Sequence, residues 1–234
     1  FNPRVNTDNP DPRVPCVLLL DTSYSMSGKP IAELNKGLVA FGQDILEDPL
    51  ARKRTEVMVI SFGGGVHSDP NFVEAQDFNP PTLNAMGHTP MAEALLKALD
   101  ALEQQKDVYR QAGIEYFRPW LVVMTDGTPT DDKHTVASAL SALGEAQKRK
   151  AVTVFPIGIG DDVDMEFLGA LSHDRDAVRL RDLEAFSDFF KWLSASMSSV
   201  STSATYGSDD ADVANKTQEL GQIALPDAKG WATA

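Results

Sequence analysis

Three short stretches carry side chains able to hold a cation. The first is Asp21-Thr22-Ser23-Tyr24-Ser25, which ends the apolar run Leu18-Leu19-Leu20 and precedes Gly28 and a helical pattern. A carboxylate and two hydroxyls at alternate positions of a tight loop can aim their oxygens at one point. Hard oxygen donors suit hard cations, Mg²⁺ or Mn²⁺ before Ca²⁺. On this stretch alone, a strand followed by a Ser/Asp helix cap explains the same residues equally well. The second stretch, Gly87-His88-Thr89-Pro90, puts a hydroxyl at the head of a helix. The third, Thr125-Asp126-Gly127, ends another buried run at an acid.

Other chemistry could in principle use the same residues. Asp21 after a buried strand could be a phosphohydrolase nucleophile. Haloacid-dehalogenase-like enzymes carry a second Asp two positions on as general acid, and here that position is Ser23. No Gly-x-Ser-x-Gly elbow accompanies the four histidines, and His88 reads as a rim residue rather than a base. Gly63-Gly64-Gly65 lacks the spacing and Lys of a phosphate loop and reads as a turn. Asp161, Asp162 and Asp164 lack EF-hand spacing and read as helix capping. Asp131-Asp132 reads as a helix start near the metal rim, and the Ser cluster at 194–203 as a helix face. The chain is expected not to be an enzyme; a structural scaffold with a vestigial site remains a third alternative.

The elements that must position these residues alternate. Buried apolar runs at 16–20, 56–62, 120–125 and 151–159, with a weaker one at 177–180, read as strands of a parallel sheet. Between them, helical spacing runs from Pro30 to about Asp48, from Met91 to about Gln111, through Val136, Leu140 and Leu143, over 165–171 and from Glu184 to about Ser203. Asn71–Ala75 reads as a short antiparallel edge strand, its link being too short for a crossover helix. The expectation is an α/β fold: a doubly wound, mostly parallel, Rossmann-like sheet with helices on both faces. With the common strand order 3-2-1-4-5-6, the strands ending at Asp21 and Asp126 are central neighbours. Ligands bind beyond the carboxyl ends of such strands, where the order reverses. Asp21, Ser23, Ser25, Thr89 and Asp126 then supply two carboxylates and three hydroxyls to one divalent ion.

The 234 residues suit one core with appendages. We expect an extended Pro-rich arm at 1–15, a domain at 16–204 and a tail at 205–234. The tail should lie against the domain or a neighbour through Ile223, Leu225 and Trp231. A formal net charge of −13 opposes binding to nucleic acid or anionic membranes. The sole cysteine, Cys16, cannot form an intrachain disulfide and fits a reducing compartment.

The set Asp21-x-Ser23-x-Ser25, Thr89 within Gly-His-Thr-Pro, and Asp126 within Thr-Asp-Gly resembles the metal-ion-dependent adhesion site of von Willebrand factor A domains. The resemblance spans roughly 14–203, and Tyr24 departs from it where many relatives have Gly. Arg118-Pro119-Trp120, Met124 to Gly127, Pro129 to Asp132, the helix Lys191 to Ser196 and the Leu225-Pro226 and Gly230-Trp231 tail are most similar to tellurium-resistance-associated TerY-like proteins. That resemblance implies a bacterial cytoplasmic stress-response setting with a protein kinase and a phosphatase as partners. The site implies a partner that offers a Glu or Asp carboxylate to the ion.

Overall fold

The computed structural model describes residues 1–180, 182, 184–220 and 232–233. In chain order the elements are β1 (Val14–Asp21), α1 (Lys29–Glu47), α2 (Ala51–Arg54), β2 (Thr55–Phe62), β3 (Val66–Ser68), β4 (Val73–Glu74) and α3 (Met91–Ala112). There follow β5 (Trp120–Thr125), α4 (Lys133–Lys148), β6 (Thr153–Ile159), α5 (Met165–Ala170), β7 (Val178–Leu180), α6 (Ala185–Ser201), α7 (Asp210–Leu220) and β8 (Ala232–Thr233). One sheet runs β3-β2-β1-β5-β6-β7-β8, with β4 also on β2. Strands β2, β1, β5, β6 and β7 are parallel, so the assumed order holds and β1 and β5 are central neighbours.

Every residue of β1, β2, β5 and β6 is buried, as expected for strands covered on both faces. Alternate residues feed two cores. Leu18, Leu20, Val122 and Met124 pack with Leu38, Phe41, Phe189, Phe190 and Leu193 of α1 and α6. Val17, Leu19, Leu121 and Val123 pack with Leu95, Ala98, Leu102 and Leu143 of α3 and α4. The one-residue alternation fixes register: a slip would exchange the two faces of β1 and β5.

The antiparallel edge is two pieces rather than one strand over 71–75. Val66 pairs with Phe62 and Val73 with Val57. Between them Pro70 has no N–H for the ladder, and Asp69 bridges the gap instead. Its amide donates to Val59 O at 3.0 Å and its carboxylate accepts from Val59 N at 3.2 Å. A third antiparallel piece, β8, pairs with β7 at the far edge.

The arm before β1 folds around one side chain. Arg13 is fully buried, and its guanidinium donates to the carbonyls of Asn6 and Asn9, both at 2.8 Å, and of Asp11. Its Nε meets Glu56 Oε1 at 3.0 Å. The other Glu56 oxygen accepts from Tyr109 Oη at 2.5 Å and Gln105 Nε2 at 3.0 Å.

Part of the tail docks as helix α7, which the sequence reading did not foresee. Among its residues Val213 is buried, against Tyr109, Ile114 and Tyr116, so there was little apolar periodicity to detect. Asp209 Oδ1 accepts from Asp212 N at 2.8 Å, and Asp210 meets Lys106 Nζ at 2.7 Å. The expected anchors Ile223, Leu225 and Trp231 lie outside the described residues.

Candidate metal centre

Asp21 is the last residue of β1 and is fully buried. The chain then leaves the sheet in a tight loop with a 3-10 turn at Tyr24–Met26. Asp21 Oδ1 accepts from Ser23 N at 2.7 Å, an Asx turn that reverses the chain and brings both serines back over the carboxylate. Asp21 Oδ2 accepts from Thr125 Oγ1 at 2.5 Å. Thr125 ends β5, whose Met124 is paired with Leu20, so this bond locks adjacent strand ends together. Ser25 Oγ donates to Asp126 Oδ1 at 2.8 Å and lies 3.0 Å from Ser23 Oγ. A hydroxyl has one proton, so Ser23 is the donor in that pair. Asp21, Ser23, Ser25 and Asp126 therefore stand in one hydrogen-bonded chain, joined to Asp21 through the Ser23 amide and to Asp126 through the two hydroxyls.

Thr89 reaches the same edge by its backbone. Its loop is laced to the first by Tyr24 N to Gly87 O at 2.9 Å and Met86 N to Thr22 O at 2.7 Å, and to the β2 exit by Gly64 N to His88 O at 2.9 Å. Glycine is needed here twice. Gly87 sits at φ +63°, and a Cβ on it would strike Gly64; a Cβ on Gly63 would strike the Thr22 carbonyl. The Thr89 backbone is also tied to Thr130: Thr89 N donates to Thr130 Oγ1 at 3.0 Å, and Thr130 N donates to Thr89 O at 2.9 Å. Thr89 is 7% exposed, and its hydroxyl is not part of the four-residue hydrogen-bonded chain.

The electrostatics of this edge are unbalanced. Among the described residues neither Asp21 nor Asp126 has a Lys, Arg or His partner. Burial pushes the Asp21 carboxyl above its usual range; bonds from Thr125 and Ser23 oppose this, and the nearby Asp126 charge adds to it. Burial also raises Asp126, against the Ser25 hydrogen bond. Two desolvated acids and three hydroxyls are a donor set suited to a hard divalent ion, whose charge would offset both the burial and the mutual repulsion. Among the described residues no group of three or more His, Cys, Asp or Glu is placed to hold a metal ion.

Sequence reasoning missed three supporting residues. Thr125 orients Asp21, and its one signal was its place between a buried strand and Asp126. Thr130 holds the Thr89 backbone. Asp131 does not start the helix after it: its carboxylate accepts from Ala92 N and Glu93 N of α3, both at 3.0 Å. It thereby fixes the helix that Thr89 precedes. Asp132 does cap α4, and Asp164 caps α5, in agreement with the capping reading. His88 and Tyr24 are exposed, Tyr24 by 75%, and lie beside the centre.

The sequence matches the von Willebrand factor type A domain over residues 16–192. The chain belongs to this family. Its fold is shared with a von Willebrand factor type A protein from Catenulispora acidiphila, at 17% identity and TM-score 0.63 over 81% of this chain and 43% of the other. The pilus adhesin SpaC from Lactobacillus rhamnosus GG, in its open conformation, matches at 16% identity and TM-score 0.64 over 81% and 30%. Proximal thread matrix protein 1 from the mussel byssus, solved with a zinc-occupied MIDAS motif, matches at 17% identity and TM-score 0.55 over 80% and 48%. The chain spans less than half the length of these solved chains. No curated protein matches the sequence. Among the described residues no helix is long and apolar enough to cross a membrane.

Proposed function

We propose that this chain is a metal-dependent protein-interaction module rather than an enzyme. Asp21, Ser23, Ser25, Thr89 and Asp126 would hold Mg²⁺ or Mn²⁺, and a Glu or Asp of a partner protein would complete the coordination. The observation that carries this reading is the pair of desolvated carboxylates joined by Ser23 and Ser25, with no basic partner among the described residues. With neutral hydroxyls making up most of the donor set, a bound ion keeps uncompensated positive charge and attracts one more carboxylate. Ion and partner then bind cooperatively, since each improves the other's site.

Membership of a family whose domains typically mediate protein contacts supports this role. Against a phosphohydrolase, Asp21 is fully buried with both oxygens engaged, and the position of a general acid is Ser23. The similarity of Arg118-Pro119-Trp120 and Pro129 to Asp132 to TerY-like proteins supports a cytoplasmic, bacterial tellurium-resistance or stress-response setting. A protein kinase or phosphatase is then the partner.

The experiment is capture of partners from the source cell on the immobilised chain, in Mg²⁺, in EDTA and with Asp21→Ala. A partner held in Mg²⁺ and lost in both other arms supports the proposal. A partner held equally in all three contradicts it.

A further inference from the structure

At the edge of the sheet opposite the metal centre, two arginines have no hydrogen-bonded or ion-pair partner for their guanidinium groups among the described residues. Arg118 lies just before β5, and Arg175 lies in the loop between α5 and β7; both are partly buried. Elsewhere Arg13, Arg54, Arg110 and Arg179 each meet a carboxylate. Neither the Arg118 nor the Arg175 guanidinium makes a hydrogen bond or ion pair with another described residue, and Arg118 Nε is buried with no acceptor. Arg175 is fixed from below: its guanidinium carbon stands 4.6 Å from the centre of the Phe155 ring. Trp120 in turn packs 4.6 Å from Phe155. Two acids act on them from a distance: Asp174 favours both charges and is itself 3.3 Å from Lys150 Nζ at each oxygen, and Asp210 favours that of Arg118 and is itself 2.7 Å from Lys106 Nζ.

These groups are a half-buried pair of basic side chains, one of them seated on an aromatic ring. Burial works against both charges, and the two guanidinium groups repel one another. The terminal N–H donors of both guanidinium groups have no acceptor among the described residues and can meet an incoming oxyanion. A guanidinium fork matches phosphate oxygens two at a time, and partial desolvation strengthens such a contact. With a net charge of −13, a polyanion such as nucleic acid is repelled far more strongly than one compact anion.

We infer that Arg118 and Arg175 form a binding site for a phosphate group, carried on a phosphorylated protein side chain or free in solution. Arg118 precedes Asp126 by eight residues along an extended strand, roughly 25 Å at 3.3 Å per residue, so the site is separate from the metal centre. It stands or falls independently of the proposed metal-dependent role.

The test uses the full chain in EDTA at constant ionic strength. Inorganic phosphate, a phosphoserine peptide and the same peptide unphosphorylated are titrated in turn. Arginine Nε–Hε signals are followed by NMR and affinity by calorimetry. The two phosphate-bearing probes should shift the Arg118 and Arg175 signals, and the double change Arg118→Gln, Arg175→Gln should weaken them about tenfold or more, with the Lys variants between. A phosphopeptide that binds about tenfold tighter than phosphate assigns the site to a modified protein; equal affinity assigns it to free phosphate. Unmoved arginine signals in the wild-type chain overturn the inference, whether or not the variants fold. So does equal binding of the unphosphorylated peptide or unchanged affinity in a folded double variant.

Discussion

The two ends of β1 treat buried acid in opposite ways. At its start, next to Glu56, the chain supplies everything the carboxylate needs: the Arg13 guanidinium, the Tyr109 hydroxyl and the Gln105 amide. Burial still pushes Glu56 upward, and Tyr109 and Arg13 pull it back. At its end, Asp21 and Asp126 receive hydroxyls and an amide but no cation from the described chain. The first arrangement is complete in itself and holds the arm to the sheet. The second is complete only with a charge from outside. A buried acid that the fold has balanced is structural; one that it leaves unbalanced, at the carboxyl edge where strand order reverses, is a candidate site.

The largest expected effect separates the two ends by stability. Arg13→Ala strands a buried carboxylate and should cost about 3–5 kcal/mol in urea unfolding. Asp21→Asn removes an unbalanced charge, so in EDTA it should change stability by less than about 1 kcal/mol. Similar losses for both variants would erase the distinction.

The next effect is on metal. Asp21→Asn or Asp126→Asn should weaken Mn²⁺ or Mg²⁺ binding about a hundredfold, ~2.7 kcal/mol, in calorimetry. Arg13→Ala, where it remains folded, should leave that affinity unchanged.

A smaller change sharpens the role of the support. Thr125→Val keeps the shape of a buried side chain but removes the hydroxyl that holds Asp21. Metal affinity should fall about tenfold, in the range known for residues that orient ligands. An unchanged affinity would show that Asp21 needs no such restraint.

The smallest effect is a slope in pH. Asp21 and Asp126 have folded pKa values raised above the unfolded ones, so the folded chain binds these protons more tightly. In EDTA their contribution favours folding at low pH and is lost as pH rises through the folded values. With saturating metal the sign reverses for these two groups, because protons now compete with the ion. Midpoints of thermal unfolding, measured with and without Mg²⁺ from neutral pH downward, should converge as the two acids protonate. Parallel curves would mean that neither acid meets the ion.

Much of this was legible in the sequence because it depends on local pattern. The apolar runs ending at Asp21 and Asp126 mark both the strands and the acids, and doubly wound topology makes them neighbours. The hidden part depends on contacts between distant segments. Nothing in Asp131-Asp132 says that the first acid caps α3 and the second α4. Nor does Thr125 announce that its hydroxyl faces Asp21 rather than a core. Helix α7 carried too little apolar periodicity to be seen, and it is held instead by Lys106, Tyr116 and Val213. The paired edge at β3 and β4 was blurred by Pro70, which interrupts the ladder that a single strand would have made.

The most direct test of the central claim is electron paramagnetic resonance of Mn²⁺ titrated into the chain. The account predicts one bound ion per chain, displaced by Mg²⁺ and lost in Asp126→Asn. Free Mn²⁺ throughout the titration, or the same bound signal in wild type and Asp126→Asn, would contradict it.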